Sequence, residues 1–303
     1  MTNEATSLAA YAASWRRALR AQNRSPRTIE TYLLAVNQFD TWLAEVGGPS
    51  SASDLERSDV EGFIEYVLSN RSPGTAKQRY MSLRGFFGWL LEEEEIDASP
   101  MEKMKPPKVE EKPPPILRPE ELRALIDASS GSAFDDRRDA SIVMLLADTG
   151  MRSSELVGLI VEDIDLDLRV AHVIGKGGKH RAAPFGDQTT LALDRYLRSR
   201  AAHPHSRRDD LFLGKRGPIT RSGLGQIVKK RGNQAGIEGM HPHLLRHTFV
   251  HRWLISGGQE GDVVRILGWS RKSAAQMLDR YGASAATERA FEAHRRFGPV
   301  DSL

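Results

Sequence analysis

Apolar residues recur at helical spacing through the first hundred residues. In one segment they fall three or four positions apart between Ser25-Pro26, which is typical of a helix start, and Gly47-Gly48, which is typical of a helix end. The apolar members of this segment are Ile29, Leu33, Val36 and Phe39. Similar patterns flank it, and the fourth helix is expected to start near Thr75. Residues 1–100 are therefore predicted to form a small helical domain.

The pattern alternates in part of the second half of the chain. Residues 170–174 and 180–185 switch between two faces around a glycine-rich turn, which predicts a β-hairpin with Lys176 and Lys179 at its tip. Helical spacing returns in residues 191–200 and beyond. We therefore predict a mainly α chain with a small antiparallel β-sheet, an α+β fold.

Prolines are concentrated between these two regions, in Lys105-Pro106-Pro107-Lys108 and Lys112-Pro113-Pro114-Pro115. Such a segment is extended and semi-rigid. We expect residues 101–115 to link a helical domain of residues 1–100 to a second domain of residues 116–303.

Composition favours two globular domains inside the cell. The 303 residues are 40% hydrophobic and 27% charged. The chain contains no apolar run of about 18 residues, the length that a membrane-spanning helix needs. The start of the chain lacks the pattern of a signal peptide, so a cytoplasmic protein is expected. The absence of cysteine excludes disulfides, thiolate metal sites and cysteine nucleophiles.

Positive charge is concentrated in the second part of the chain. Residues 1–100 contain 10 Lys and Arg against 14 Asp and Glu, whereas residues 101–303 contain 33 against 26. This distribution indicates a polyanion such as DNA as the partner, and a solvated basic surface is the alternative interpretation. The candidate DNA contacts are basic residues of two predicted helices, namely Lys77, Arg79, Arg84, Arg221, Lys229, Lys230 and Arg231.

Candidate chemistry is densest in the stretch His241-Pro242-His243-Leu244-Leu245-Arg246-His247. Pro242 favours a helix start, so His243, Arg246 and His247 fall on one helical face. A guanidinium fork fits two phosphate oxygens and an imidazole moves protons near neutral pH, so this face suits a phosphodiester. The spacing of the two histidines also suits zinc, but Leu244 stands where a metalloprotease has glutamate, and we expect no metal.

A second anion site is predicted at Asp148-Thr149-Gly150-Met151-Arg152, where a glycine turn leads into a new helix. Arg152 lies in the first turn of that helix, where free backbone N–H groups favour an anion. Taken alone, Arg152 is better explained by an ion pair with Glu155, three positions further on.

In this order, the motifs resemble those of the tyrosine recombinases, the family of phage integrases and chromosome-dimer resolvases. The resemblance covers nearly the whole chain. Thr-Gly-Met-Arg-Ser-Ser-Glu-Leu resembles the first-arginine motif at Arg152, and Val-Ile-Gly-Lys-Gly-Gly-Lys resembles the hairpin motif, whose catalytic lysine falls on Lys176. His-Pro-His-Leu-Leu-Arg-His resembles the His-x-x-Arg box at His243 and Arg246.

The resemblance continues to Tyr281. Leu-Gly-Trp-Ser resembles the next box, with Trp269 where the family usually has histidine. Tyr281 takes the nucleophile position but follows Trp269 by twelve residues. The family usually has about nine, a difference of about one helical turn that a longer helix or loop would absorb. Of the six tyrosines four lie in the first domain, and Tyr196 lies on a predicted core face, so Tyr281 is the remaining candidate.

The resemblance implies how the phosphate is held and attacked. Arg152 and Arg246 clamp the non-bridging oxygens and stabilise the charge that develops as Tyr281 attacks the phosphorus. Glu155 orients this group. The resulting 3′-phosphotyrosine conserves the energy of the broken bond, so the strands rejoin without ATP, metal or any other cofactor.

The resemblance also implies the groups that assist this attack. His243 helps to transfer the proton of the tyrosine hydroxyl, and Lys176 protonates the departing 5′ oxygen. Trp269 packs or donates a hydrogen bond at the phosphate.

The implied enzyme is a site-specific DNA recombinase whose helical core-binding domain and catalytic domain close on DNA as a C-shaped clamp. We expect it to integrate or excise the genome of a phage or another mobile element at core-type sites in double-stranded DNA. Dimers on single sites, a homotetramer on paired sites and an accessory or directionality protein are the expected assemblies, with the helix after Tyr281 as a clasp between protomers. The alternatives are an Xer-like chromosome or plasmid dimer resolvase, a type IB topoisomerase, and a catalytically silent DNA-binding protein of the same fold.

Overall fold

The computed structural model describes residues 7–110, 113–175, 178–298 and 300. The chain divides into two compact units, Met1–Glu110 and Glu111–Leu303, and the division falls inside the proline-rich segment. Most described residues are helical and the few strands are antiparallel, so the predicted fold class is confirmed. Within the described ranges, no helix is both long enough and apolar enough to cross a bilayer.

Unit 1 contains the helices that its apolar spacing predicts. They are α1 (Leu8–Ala21), α2 (Pro26–Val46), α3 (Arg57–Asn70) and α4 (Pro73–Glu92). Ser25 and Ser72 cap the starts of α2 and α4 by accepting hydrogen bonds from backbone N–H groups. Gly47 ends α2 in the left-handed conformation. The fourth helix begins at Pro73, two residues before Thr75, because proline suits the first helical position.

The core of unit 1 is rich in aromatic rings from all four helices. The fully buried members are Trp15, Phe39, Phe63, Tyr80, Phe86 and Phe87. The Tyr80 hydroxyl donates a 2.6 Å hydrogen bond to the carbonyl of Met104, and Met101 is buried in the same core. The first residues of the segment predicted as a linker are therefore anchored in unit 1.

Unit 2 combines a small sheet with the remaining helices. The helices are α5 (Pro119–Ser129), α6 (Phe134–Thr149), α7 (Ser153–Val157), α8 (Asp187–Arg200), α9 (Arg221–Gln234), α10 (Pro242–Ile255), α11 (Glu260–Leu267) and α12 (Arg271–Phe297). The antiparallel strands are β1 (Ile164–Asp165), β2 (Val170–Ile174) and β3 (His180–Pro184) in that order, and β4 (Leu213–Gly214) pairs with β5 (Gly217–Pro218). The predicted hairpin is thus confirmed as β2 and β3, with Ile174 opposite His180.

The end of α6 brings three helices close together. Gly150 follows α6 with a φ of 58°, and a Cβ atom there would lie 2.6 Å from the ring of Phe249 in α10. A residue with a side chain would be strained by both its backbone and this contact. Glycine therefore lets α6 end against α10, with α7 starting three residues later.

Arg231 is a buried structural residue and not the DNA contact that its basic neighbours suggest. Its guanidinium donates 2.8 Å hydrogen bonds to the carboxylates of Asp136 and Asp139 in α6 and a 3.0 Å bond to the carbonyl of Ala128. The prediction for Arg231 was wrong because every donor nitrogen of this side chain faces the protein interior.

Arg231→Met should destabilise unit 2 by about 3 kcal/mol, because it removes the cation that pairs with Asp136 and leaves the buried carboxylate of Asp139 with Arg138 alone. Urea denaturation of the full chain measures this free energy of unfolding. Lys230→Met is the matched control, since the adjacent Lys230 is exposed. Equal stability of the two variants would contradict the structural role of Arg231.

Candidate active site

The start of α10 places the histidine and arginine side chains as predicted. His241 caps the helix, its Nδ1 accepting a 3.1 Å hydrogen bond from the backbone of Leu244. His243 and His247 lie one turn apart, with ring centroids separated by 4.3 Å in an edge-to-face arrangement. In the part of the chain that the structure describes, no group of three or more His, Cys, Asp and Glu residues could hold a metal ion.

Arg246 is buried beneath this helical face and is only 3% exposed. Its Nη1 donates a 2.6 Å hydrogen bond to the carbonyl of Gly150, and its guanidinium carbon lies 5.7 Å from the centroid of the Trp269 ring. Its Nη2 is buried and has no hydrogen-bond partner among the described residues. Burial and the charge of Arg152 lower the pKa of Arg246 to about 10. A bound anion would compensate this desolvated cation.

Glu155 binds two further arginines, Arg152 and Arg181. Its carboxylate accepts bonds of 2.7 Å from the backbone N–H of Arg152 and of 2.9 Å from the Arg152 side chain. The expected ion pair of Arg152 therefore exists, and the Arg152 side chain remains 40% exposed. Glu155 also accepts a 2.7 Å bond from Nη2 of Arg181 in β3. One face of Arg152 is thus fixed to the protein while the side chain remains accessible to a ligand.

Sequence reasoning missed Arg181. The signal was present, because alternation along β3 puts residue 181 on the same side as Ala183, which is fully buried, and its cross-strand neighbour Val173 is buried too. A charged side chain at an inward strand position needs a partner, and Glu155 provides it.

Tyr281 lies in the middle of α12 and is only 2% exposed. Ser270 caps this helix, and Trp269 lies immediately before the cap. The twelve-residue spacing from Trp269 to Tyr281 therefore consists almost entirely of helix. The Tyr281 ring lies nearly parallel to the Trp269 ring, with centroids 6.2 Å apart. Its hydroxyl is hydrogen-bonded to Nδ1 of His247. Burial raises the pKa of Tyr281 to about 12, although Arg246 and Arg280 act in the opposite direction.

His247, rather than the predicted His243, is the histidine that contacts the Tyr281 hydroxyl. The sequence placed both residues on one face but could not tell which of them reaches a side chain from another helix. Burial and then the charges of His243 and His241 lower the pKa of His247 to about 4. The imidazole is therefore neutral at pH 7, and its Nδ1 can accept the phenolic proton. The pKa of His243 is also lowered, chiefly by burial.

Two further predictions concern Lys176 and Tyr196. Lys176 falls outside the residues that the structure describes. Tyr196 is fully buried, and its hydroxyl donates to the Leu211 carbonyl and accepts from the Leu213 N–H, both at 3.0 Å. The predicted assignment of Tyr196 to the core is thereby confirmed.

The other predicted DNA contacts differ in exposure. In α4, Lys77 and Arg84 are exposed, whereas Nε of Arg79 donates a 2.6 Å hydrogen bond to Gln38 of α2. Burial and the charge of Arg71 lower the pKa of Arg79. In α9, the exposed residues are Arg221, Lys229 and Lys230. Arg79 is thus partly occupied within unit 1, and the exposed residues are available to a polyanion.

The half-buried imidazole of His247 should make unit 2 less stable in acid. Its folded pKa of about 4 lies below the usual 6.5, so the stabilisation is complete above pH 6.5 and is lost as the pH falls through 4. Because the ring is only half buried, we expect a loss of about 1–2 kcal/mol. Urea denaturation at pH 7, 5 and 4 should show a smaller loss for His247→Gln than for wild type. His180→Gln, at an exposed position, should behave as wild type; equal losses in all three proteins would refute the assignment.

The chain is similar to known recombinases over most of its length. Residues 115–288 match the model of the Phage integrase family, and residues 12–97 match the Phage integrase, N-terminal SAM-like domain. Tyrosine recombinase XerD of Listeria monocytogenes serotype 4b (strain F2365) is 32% identical, and the match covers 84% of this chain and 87% of that protein.

Two solved structures share the fold. The XerH site-specific recombinase bound to palindromic difH substrate, in a post-cleavage complex, is 23% identical with a TM-score of 0.73, covering 90% of this chain and 81% of that one. A lambda integrase tetramer bound to a Holliday junction is 15% identical with a TM-score of 0.71, covering 89% of this chain and 79% of that one.

Proposed function

Since this chain belongs to the phage integrase family and is a tyrosine-type site-specific recombinase, we propose that Tyr281 is its nucleophile. The observation that carries the proposal is the convergence of one tyrosine on the arginine and histidine face of α10. The Tyr281 hydroxyl contacts His247, its ring stacks on Trp269, and Trp269 packs against Arg246. The tyrosine of α12 and the tryptophan before that helix thus lie against one face of α10.

The phosphate clamp is formed by Arg152 and Arg246. The exposed side of Arg152 and the unsatisfied Nη2 of Arg246 are the donors that would bind the two non-bridging oxygens. Arg246 is already desolvated and Arg152 is already oriented by Glu155, so the two side chains stabilise the charge that develops on the phosphorane without reorganising. Trp269 keeps water away from this charge by packing over the guanidinium of Arg246.

Proton transfer begins at the Tyr281 hydroxyl. His247 takes the phenolic proton as the oxygen attacks phosphorus and becomes an imidazolium, and His243 lies in edge contact with its ring. The bond from phosphorus to the 5′ oxygen breaks, and Lys176 of the hairpin supplies a proton to that leaving oxygen. The 5′ hydroxyl of a second duplex then attacks the 3′-phosphotyrosine, which forms a phosphodiester and breaks the bond from phosphorus to the Tyr281 oxygen. That oxygen takes back its proton from His247, and the attacking hydroxyl gives its proton to Lys176.

DNA is the substrate, and the exposed basic residues of α4 and α9 are proposed to contact its backbone. They are Lys77, Arg84, Arg221, Lys229 and Lys230. Arg79 is proposed as a supporting contact, since it is fixed by Gln38. By analogy with the lambda integrase tetramer on a Holliday junction, we propose a dimer on each site and a homotetramer on paired sites. An accessory protein would set the direction of the reaction.

Reversing two charges in α9 should weaken DNA binding. The Lys229→Glu/Lys230→Glu double variant should bind duplex DNA at least about tenfold more weakly, and the slope of log affinity against log salt should fall by about 2, because two phosphate contacts are lost. Arg195→Glu/Arg198→Glu in α8 is the control with the same change of charge at exposed positions. Fluorescence anisotropy at several salt concentrations measures both quantities, and identical slopes for the two variants would exclude α9 from the interface.

The biological reaction is proposed to be integration and excision of a phage or another mobile element. Dimer resolution is the second candidate, and the similarity to Xer recombinases favours it. The experiment starts by recovering DNA that becomes covalently linked to the protein from a pool of nicked duplexes. Plasmids with two identical copies of the recovered site then separate the two roles. Deletion between identical sites supports a resolvase, whereas recombination that requires a second, different site supports an integrase, and the lack of any covalent product refutes both.

A further inference from the structure

We propose that Arg181 is a positioning residue of the recombination reaction. It acts through Glu155 to fix Arg152, and it holds the catalytic hairpin against the turn that carries Trp269. This inference rests on the proposed function of Arg152 and Trp269, and it adds a residue that no motif of the sequence contains.

Arg152 and Arg181 share one carboxylate, that of Glu155. The Oε2 atom of Glu155 accepts bonds from Nη2 of Arg181 and from the backbone N–H of Arg152, both at 2.7 Å. The Oε1 atom accepts the Arg152 side chain at 2.9 Å. Without Arg181, only the two bonds from Arg152 itself would hold the carboxylate, so Arg152 and Glu155 would lose the bond that anchors them to β3.

The positive charge of Arg181 is costly to bury at this position. The Arg181 side chain is 10% exposed, and its Nε and Nη1 are buried without partners among the described residues. Burial and the charge of Arg152 lower its pKa, although Glu155 acts in the opposite direction. Because apolar residues in place of a whole buried ion pair often stabilise a fold equally well, the pair of Arg181 and Glu155 is not explained by stability alone. A cation beside two others becomes favourable when an anion binds between them.

Arg181 also contacts the turn that leads to Trp269. Gly268 ends α11 with a φ of 61° and immediately precedes Trp269. A Cβ atom on Gly268 would lie 3.0 Å from Cδ and 3.1 Å from Nε of Arg181, so the side chain packs closely against this turn. Arg181 also belongs to β3, the strand that leaves the hairpin tip. One side chain therefore connects the hairpin, the first arginine and the tryptophan.

The test is a double-mutant cycle between Arg181 and Glu155 on a nicked duplex that wild type cleaves. At saturating DNA, Arg181→Met should lower the single-turnover rate of covalent adduct formation by about 30-fold, and Glu155→Gln should lower it by a similar factor. The dissociation constant for DNA should change by less than about threefold, because neither side chain lies on the basic surface of α9. The rate of the double variant should be at least about half that of the slower single variant, since both changes remove the same restraint.

Arg198→Met is the matched control, because this arginine forms an exposed pair with Asp194. It should cleave at the wild-type rate. If Arg181→Met does not fold, the cycle is run with Arg181→Lys. In the otherwise wild-type protein, we expect Arg181→Lys to lower the rate of adduct formation about fivefold. In the Glu155→Gln variant, the same substitution should not change the rate, because the forked donor of arginine matters only when the carboxylate is charged.

Three results would overturn the inference. The first is a wild-type rate for folded Arg181→Met, and the second is a double variant whose loss is the product of the two single losses. The third is an equal effect of Arg181→Lys in both backgrounds. The absence of an adduct with the wild-type protein would overturn the proposed function itself, and with it this inference.

Discussion

Tyr281→Phe is expected to remove covalent attachment to DNA while leaving DNA binding intact. The rate of adduct formation should fall by at least about 10⁴-fold, because the substitution deletes the attacking oxygen and nothing else supplies a nucleophile. The phenylalanine ring retains the stacking on Trp269, so α12 should keep its place against α10. A nicked duplex followed by electrophoresis in denaturant measures the adduct, and anisotropy measures binding.

Tyr196→Phe is the matched control for this experiment. The lost hydroxyl is the centre of two buried hydrogen bonds, so the variant should be destabilised by about 1–2 kcal/mol. It should nevertheless form the adduct at the wild-type rate below its melting temperature. Tyr281→Phe is thus expected to remove adduct formation, whereas Tyr196→Phe is expected to lower stability and leave adduct formation unchanged. A normal adduct with Tyr281→Phe would show that another residue is the nucleophile.

Arg246→Met should abolish most of the cleavage activity without unfolding the protein. The rate should fall by about 10³-fold, since one preorganised cation at the developing phosphorane charge is worth about 3–4 kcal/mol. The free energy of unfolding should change by no more than about 1 kcal/mol, because the methionine loses the bond to Gly150 but relieves the burial of an unsatisfied cation. Arg246 is thus explained by its role in cleavage and not by a contribution to stability.

Arg200→Met provides the contrast. This buried guanidinium donates to four backbone carbonyls, those of Ser206, Arg208, Asp210 and Leu211. Its loss should cost about 3 kcal/mol of stability and leave the cleavage rate unchanged in folded protein. If Arg246→Met instead destabilised the fold as strongly as Arg200→Met and cleaved DNA normally, Arg246 would be a structural residue.

The parts of the site that depend on local spacing could be predicted from the sequence. The face of α10 follows from Pro242 and helical periodicity, and the hairpin follows from alternation around a glycine-rich turn. The twelve-residue interval before Tyr281 also has a local answer, because α12 is continuous from Arg271 to Phe297.

The parts that depend on distant contacts could not be predicted in this way. Arg231 belongs to a run of basic residues, yet its partners Asp136 and Asp139 lie more than ninety positions away, so only the fold shows that it is buried. The choice between His243 and His247 likewise depends on where α12 lies. Arg181 was detectable through strand alternation, but its partner Glu155 belongs to another element.

The role of Tyr281 as the nucleophile is tested by identifying the amino acid that becomes linked to the DNA. Adduct formed by the wild-type protein on a nicked duplex is digested with nuclease and trypsin, and the nucleotide-linked peptide is sequenced by mass spectrometry. Trypsin cleaves after Arg280 and Arg289, so the account predicts a nucleotide on the peptide of residues 281–289, attached to Tyr281. A nucleotide on any other peptide, such as the one that begins at Tyr196, would contradict it.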